Sequence, residues 1–91
     1  MQKGERYKIY DKVISIHGKD RQTAAWIEEL NELSQVLCKR LCGKKYKKAD
    51  LLDEVVDVYI ILDQILKDQE LDNIRIQELM HIKLLQLDLK Y

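Results

Sequence analysis

The chain has no proline, no phenylalanine and only three glycines in 91 residues. A small β-sandwich or barrel turns back on itself many times, and the residues that make tight turns are nearly missing here. A disulfide framework is excluded as well. The only two cysteines, Cys38 and Cys42, are four residues apart on a helical pattern, which suits neither a stapled fold nor a C-x-x-C metal site. They are expected as reduced, partly buried thiols. No uncharged run approaches the roughly 18 residues of a membrane span, and Met1 to Ile16 carries charges where a signal peptide needs an apolar core. The expectation is a soluble, cytoplasmic protein with no membrane partner. Net charge is missing too: sixteen Lys and Arg balance sixteen Asp and Glu, so no overall basic field recommends nucleic acid as a partner.

What remains is rich in Leu, Ile, Lys, Glu and Gln, the composition of a helical protein. Four segments read as helices. The first, about Glu5 to His17, places Tyr7, Tyr10, Val13, Ile14 and His17 at helical spacing, with Gly18 suited to end it. The second runs from Asp20 as N-cap to Cys42, with Gly43 as its stop and Trp26, Leu30, Leu33, Leu37 and Leu41 as its apolar stripe. After a lysine-rich loop, the third spans about Ala49 to Lys67, with the stripe Leu51, Val55, Val58, Leu62 and Ile65. The fourth, about Asp72 to Lys90, carries Ile76, Leu79, Met80, Leu84 and Leu87. The short links predict one all-α domain over residues 1–91, a small antiparallel helical bundle. A chain of this length buries only about 60–65% of its unfolded surface, so completion of the core by oligomerisation is expected.

The zero net charge hides a division along the chain. Residues 22–38 hold three acids and no base, 39–48 six bases and no acid, and 49–66 five acids and no base. Shifting the second helix by 25 residues onto the third superimposes Glu28, Glu29 and Glu32 on Asp53, Glu54 and Asp57. Glu29 and Glu32 lie beside one apolar stripe, and Glu54 and Asp57 beside the other. Solvated helical acids usually have a basic residue three or four positions away, and these have none. Glu28 with Glu32, and Asp53 with Asp57, are instead like-charge pairs one turn apart, each destabilising by a few tenths of a kcal/mol. A hard divalent cation removes that cost. Mg²⁺ takes a few carboxylates and keeps its other positions for water and phosphate oxygens. Glu29, Glu32, Glu54 and Asp57 are therefore the expected metal ligands, with Mn²⁺ able to substitute.

Glu28-Glu29-Leu30-Asn31-Glu32, then 21 residues, then Glu54-Val55-Val56-Asp57, resembles the E-E-x-x-E … E-x-x-D pattern of the MazG-like all-α nucleoside triphosphate pyrophosphohydrolases. The resemblance covers roughly Ile9 to Lys90 and is most specific from Gly18 to Leu66. It implies hydrolysis of (deoxy)nucleoside triphosphates to the monophosphate and pyrophosphate, with clearing of the nucleotide pool as a role, and the expected oligomer is a homodimer or homotetramer. By the same resemblance the four acids bind Mg²⁺, and Glu28 orients or deprotonates the attacking water.

The resemblance also extends to Gln22 and Trp26 as base contacts and to Lys83 as a phosphate contact. On residue type alone, Trp26 on an apolar stripe serves equally as core. Lys48 belongs to a run of six bases, Lys39 to Lys48, that either holds phosphates or relieves the acidic helices. The family commonly carries an arginine soon after the lysine of its last helix, where this chain has Gln86 and Leu87. His17 reads as the end of a frayed helix. A rival constellation, Glu78-Leu79-Met80-His81, has the E-x-x-H spacing of di-iron bundles but occurs once where two are needed. From another class altogether comes a non-enzymatic helical interaction module, whose acids would recruit a basic partner.

Overall fold

The computed structural model describes residues 1–91 as four helices and no strands. They are α1 (Lys3–His17), α2 (Lys19–Leu41), α3 (Lys48–Asp68) and α4 (Asn73–Lys90). The all-α helical bundle expected from composition and periodicity is what forms, and no helix is long and apolar enough to cross a membrane.

Caps explain where each helix stops. Gly18, at φ +83°, donates its N–H to Ile14 O at 2.8 Å, closing α1, and accepts from Gln22 N–H at 3.1 Å, opening α2. The α2 N-cap is thus Gly18 and not Asp20, which sits in the first turn near the positive end of the helix dipole. At the other end, Lys44 N–H reaches Lys39 O and Gly43 N–H reaches Arg40 O, with Gly43 at φ +71°, a Schellman closure. The same closure ends α3, where Leu71 N–H bonds Leu66 O and Glu70 N–H bonds Lys67 O. There the left-handed residue is Glu70, at φ +51°, a conformation that costs a side-chain-bearing residue about 1 kcal/mol. Asp72 then caps α4 by accepting Ile74 N–H at 2.9 Å.

Packing centres on α2 against α3, with α1 resting on both and α4 barely engaged. The α2–α3 pair is antiparallel. Gln22 meets Gln64, and Glu29 and Glu32 meet Asp57 and Glu54, so every step forward on α2 is matched by a step back on α3. The packed face of α2 runs through Gln22, Trp26, Glu29, Leu33 and Val36, about 60° around the helix from the expected leucine stripe. Leu30, Leu37 and Leu41 are left exposed, and α3 similarly exposes Leu52, Val56, Tyr59 and Leu62. Only Val36, Ile61 and Gln22 are buried.

Two magnitudes show that the chain does not close a core alone. Its accessible surface is 7886 Å², whereas a compact monomer of this mass exposes roughly 5,600 Å². Its radius of gyration is 16.0 Å, against about 12 Å for a compact domain of this length. α4 contributes to the excess, with no buried residue and with Leu84, Leu85 and Leu87 more than half exposed.

α1 is held by polar contacts as much as by its apolar face. Asp63 of α3 accepts from Arg6 Nε and from Tyr10 Oη, both at 2.7 Å. Asp11 pairs with Lys67, whose ammonium also lies over the Tyr7 ring. Tyr7, Tyr10, Val13 and Ile14 are half-buried as their spacing predicts, while His17 is exposed.

Candidate functional site

Because the α2–α3 seam passes through Glu29 and Asp57, the acids are part of the packed interface. One carboxylate oxygen from each of Glu29, Glu32, Glu54 and Asp57 lies within 4.8 Å of the others. Glu29, Glu54 and Asp57 are half-buried, and Glu32 is exposed. No lysine, arginine or histidine forms an ion pair with any of them. The Oε2 atoms of Glu29 and Glu54 are buried and have no hydrogen-bond partner.

The electrostatic consequence is large. Loss of solvation pushes the Glu29 carboxyl up to about 7, helped by the negative charges of Glu32 and Asp57. Glu54 is raised for the same reasons, with desolvation first and then the charges of Glu32 and Asp57. Four carboxylates cannot all be ionised at this distance without a compensating cation or protons. Hard oxygen donors alone, with two lone-pair-bearing atoms unengaged, fit Mg²⁺ or Mn²⁺ and do not fit a soft metal.

Around this cluster the other expected residues are placed unevenly. Glu28 is exposed on α2 and lies outside the converging set. Gln22 is buried and Trp26 half-buried, two turns and one turn toward the N-terminus from Glu29. Both donate to Gln64 Oε1, Trp26 Nε1 at 2.8 Å and Gln22 Nε2 at 3.4 Å. Lys48 is exposed at the start of α3, beside an apolar groove of Ala49, Leu51, Leu52 and Val55. Lys83 is exposed on α4, and neither lysine bonds to an acid of the cluster. Cys38 and Cys42 are free and exposed, where partial burial was expected. Glu78 pairs with Arg75 at 3.1 Å, and neither it nor His81 joins other potential ligands, so the di-iron arrangement does not form within the chain.

Two residues that join the helices escaped the pattern reading. Gln64 continues the heptad-like series Glu54, Asp57, Ile61, and a uniform plot of that series would have placed it on the same face. Asp63 has no local signal, since its partners Arg6 and Tyr10 lie 57 and 53 residues away. Comparison with protein-family models, characterised proteins and solved structures finds no match.

Proposed function

We propose that the chain binds Mg²⁺ through Glu29, Glu32, Glu54 and Asp57 and hydrolyses (deoxy)nucleoside triphosphates to the monophosphate and pyrophosphate, as its MazG-like motifs imply. The observation that carries the proposal is the convergence of four unpaired carboxylates within 4.8 Å, two of them with a buried oxygen that lacks a donor. Bound there, Mg²⁺ supplies charge for phosphate oxygens and lowers the pKa of coordinated water.

The chain's own groups divide the remaining work. Glu28, at the solvent edge beside Glu29, orients the attacking water or takes its proton. Gln22 and Trp26, at the far end of the seam, hold the base. Lys48 and Lys83 are free cations that engage the outer phosphates once the assembly is complete. The partner in that assembly is a second copy of the chain, as a homodimer or a homotetramer. About 2,300 Å² of surface beyond the compact-monomer value falls in the range an obligate interface covers. A cytoplasmic nucleotide pool is the setting in which such an enzyme would act.

Pyrophosphate release from a panel of canonical and modified dNTPs, with Mg²⁺ and with Mn²⁺, is the test. Release from at least one member, lost in Glu54→Gln, is expected. A panel with no turnover would favour the helical interaction module, a reading that draws on the exposed apolar faces of α3 and α4.

A further inference from the structure

A cleft of about 200 Å³ begins at Glu29 and Asp57 and continues between α2 and α3 past Ile61 to Gln22, Trp26 and Gln64. It is large enough for one heterocycle, and a ligand whose phosphates sit at the acids would lay its organic part along it. Beyond Asp57, Gln64 is the polar group on the α3 side.

The orientation of its amide follows from the chemistry of its neighbours. An indole N–H can only donate, so the Gln64 atom 2.8 Å from Trp26 Nε1 is the oxygen. Gln22 Nε2 donates to the same oxygen. Both lone pairs of Oε1 are thereby engaged, and no protein acceptor meets the Gln64 NH₂. A glutamine free to flip offers a ligand either a donor or an acceptor. This one offers a donor.

We infer that Gln64 is a specificity-determining residue, favouring a heterocycle that presents a carbonyl oxygen to α3 over the same ring with an amino group there. The inference rests on the nucleotide reading of the acid cluster and adds the chemical class of base. Uracil against cytosine, and hypoxanthine against adenine, differ in that substituent and in the proton on the adjoining ring nitrogen. An amino group facing the Gln64 NH₂ leaves two donors opposed and both unsatisfied, which is how a polar site rejects an analogue.

The experiment compares kcat/KM for dUTP with dCTP, and for dITP with dATP, in wild type, Gln64→Glu and Trp26→Phe. Binding of the α,β-imido analogues to wild type and Gln64→Glu, followed by fluorescence of Trp26, the only tryptophan, gives a second readout. Gln64→Glu keeps an oxygen for Trp26 and Gln22 and exchanges the donor for an acceptor. It also adds negative charge near the metal, which affects all four nucleotides alike and cancels in the ratio. The keto-to-amino ratio is expected to exceed one in wild type and to fall about tenfold in Gln64→Glu, in rate and in binding. Trp26→Phe removes the donor that fixes the amide and should bring the ratio toward one, whatever it does to the overall rate. Turnover with the same ratio in wild type and Gln64→Glu would overturn the role of Gln64 and leave the pyrophosphohydrolase reading standing. Folded wild type that neither binds nor hydrolyses any of the four would overturn the role of Gln64, and only a full dNTP panel with no turnover would overturn the pyrophosphohydrolase reading as well.

Discussion

Glu29 of α2 and Glu54 of α3 converge in one carboxylate cluster at the seam, and each buries its Oε2 without a donor. Their helices also bring Glu32 and Asp57 into the same 4.8 Å cluster. A seam of this kind would ordinarily be filled by leucine or valine. Here it holds like charges, so the metal-free fold is strained electrostatically at the place where its two best-packed helices meet.

Mg²⁺ should therefore stabilise the protein. At a hundredfold excess over its dissociation constant, a ligand that binds only the folded state adds about 2.7 kcal/mol. For a chain of this size that corresponds to a rise in Tm of roughly 10 °C or more. Glu54→Gln and Asp57→Asn each remove a repelling charge, so both are expected to melt higher than wild type without metal and to lose most of the Mg²⁺ shift. Differential scanning calorimetry in EDTA and in Mg²⁺ checks this. An identical Tm in both solutions for the wild type would rule the cluster out as a metal site.

The raised Glu29 carboxyl gives the metal-free protein a pH dependence of definite sign. Its folded-state value of about 7 lies above its ordinary 4.5, so between these limits the folded state holds more protons than the unfolded state. Stability is favoured below the lower limit and is lost as pH rises toward 7. Glu54, also raised, adds in the same direction. Since Mg²⁺ competes with those protons, its binding near pH 6 should release protons, and its affinity should rise with pH and level off above about 7. Calorimetric titration at pH 6 in buffers of different ionisation enthalpy measures the protons released, and a buffer-independent heat would contradict the assignment.

Asp63 behaves in the opposite sense. Hydrogen bonds from Arg6 and Tyr10 hold its carboxyl below the usual range, while its own desolvation partly opposes them. The stabilisation from this carboxylate is fully present above the ordinary range and is lost as pH falls through the lowered value. Tyr10, desolvated and bonded to Asp63, is pushed up to about 12 and stays protonated as the donor. Asp63→Asn should lower Tm by roughly 4–8 °C and loosen α1 first. Hydrogen exchange of α1 amides reads the loosening directly. The Mg²⁺ shift should survive in this variant, because Asp63 stands apart from the four clustered acids.

Much of this arrangement could be read from local pattern. Helix type, approximate ends and the coincidence of acids on α2 and α3 all depend on residues three or four apart, and periodicity reports such neighbours well. The rotation of the packed faces was hidden because Leu30, Leu37 and Leu41 form a better apolar stripe than the face that packs within the chain. Hydrophobic pattern shows which residues seek burial, without separating burial inside one chain from burial against another. Gln64 was missed for a related reason: a neutral polar residue carries no charge or hydropathy signal, and its position matters only once Trp26 faces it. Gly18 displaced Asp20 as the α2 cap because it is the single residue between α1 and α2, which leaves no room for a separate N-cap.

Exposed leucines on α4 lead to the last prediction. Leu84 is 54% and Leu87 53% exposed, one turn apart on a helix that barely engages the rest of the chain. Surface of that kind on a lone 18-residue helix is costly to leave in water, and a helix of that length is only marginally stable without tertiary contacts. If a second copy covers it, sedimentation equilibrium should give two or four times 10.9 kDa at micromolar concentration. Leu84→Glu with Leu87→Glu should yield monomers with a lower Tm and reduced helix content, since α4 would lose the surface that orders it. Wild type that sediments as a well-folded monomer, with α4 amides protected from exchange, would contradict this and require α4 to be ordered by the chain alone.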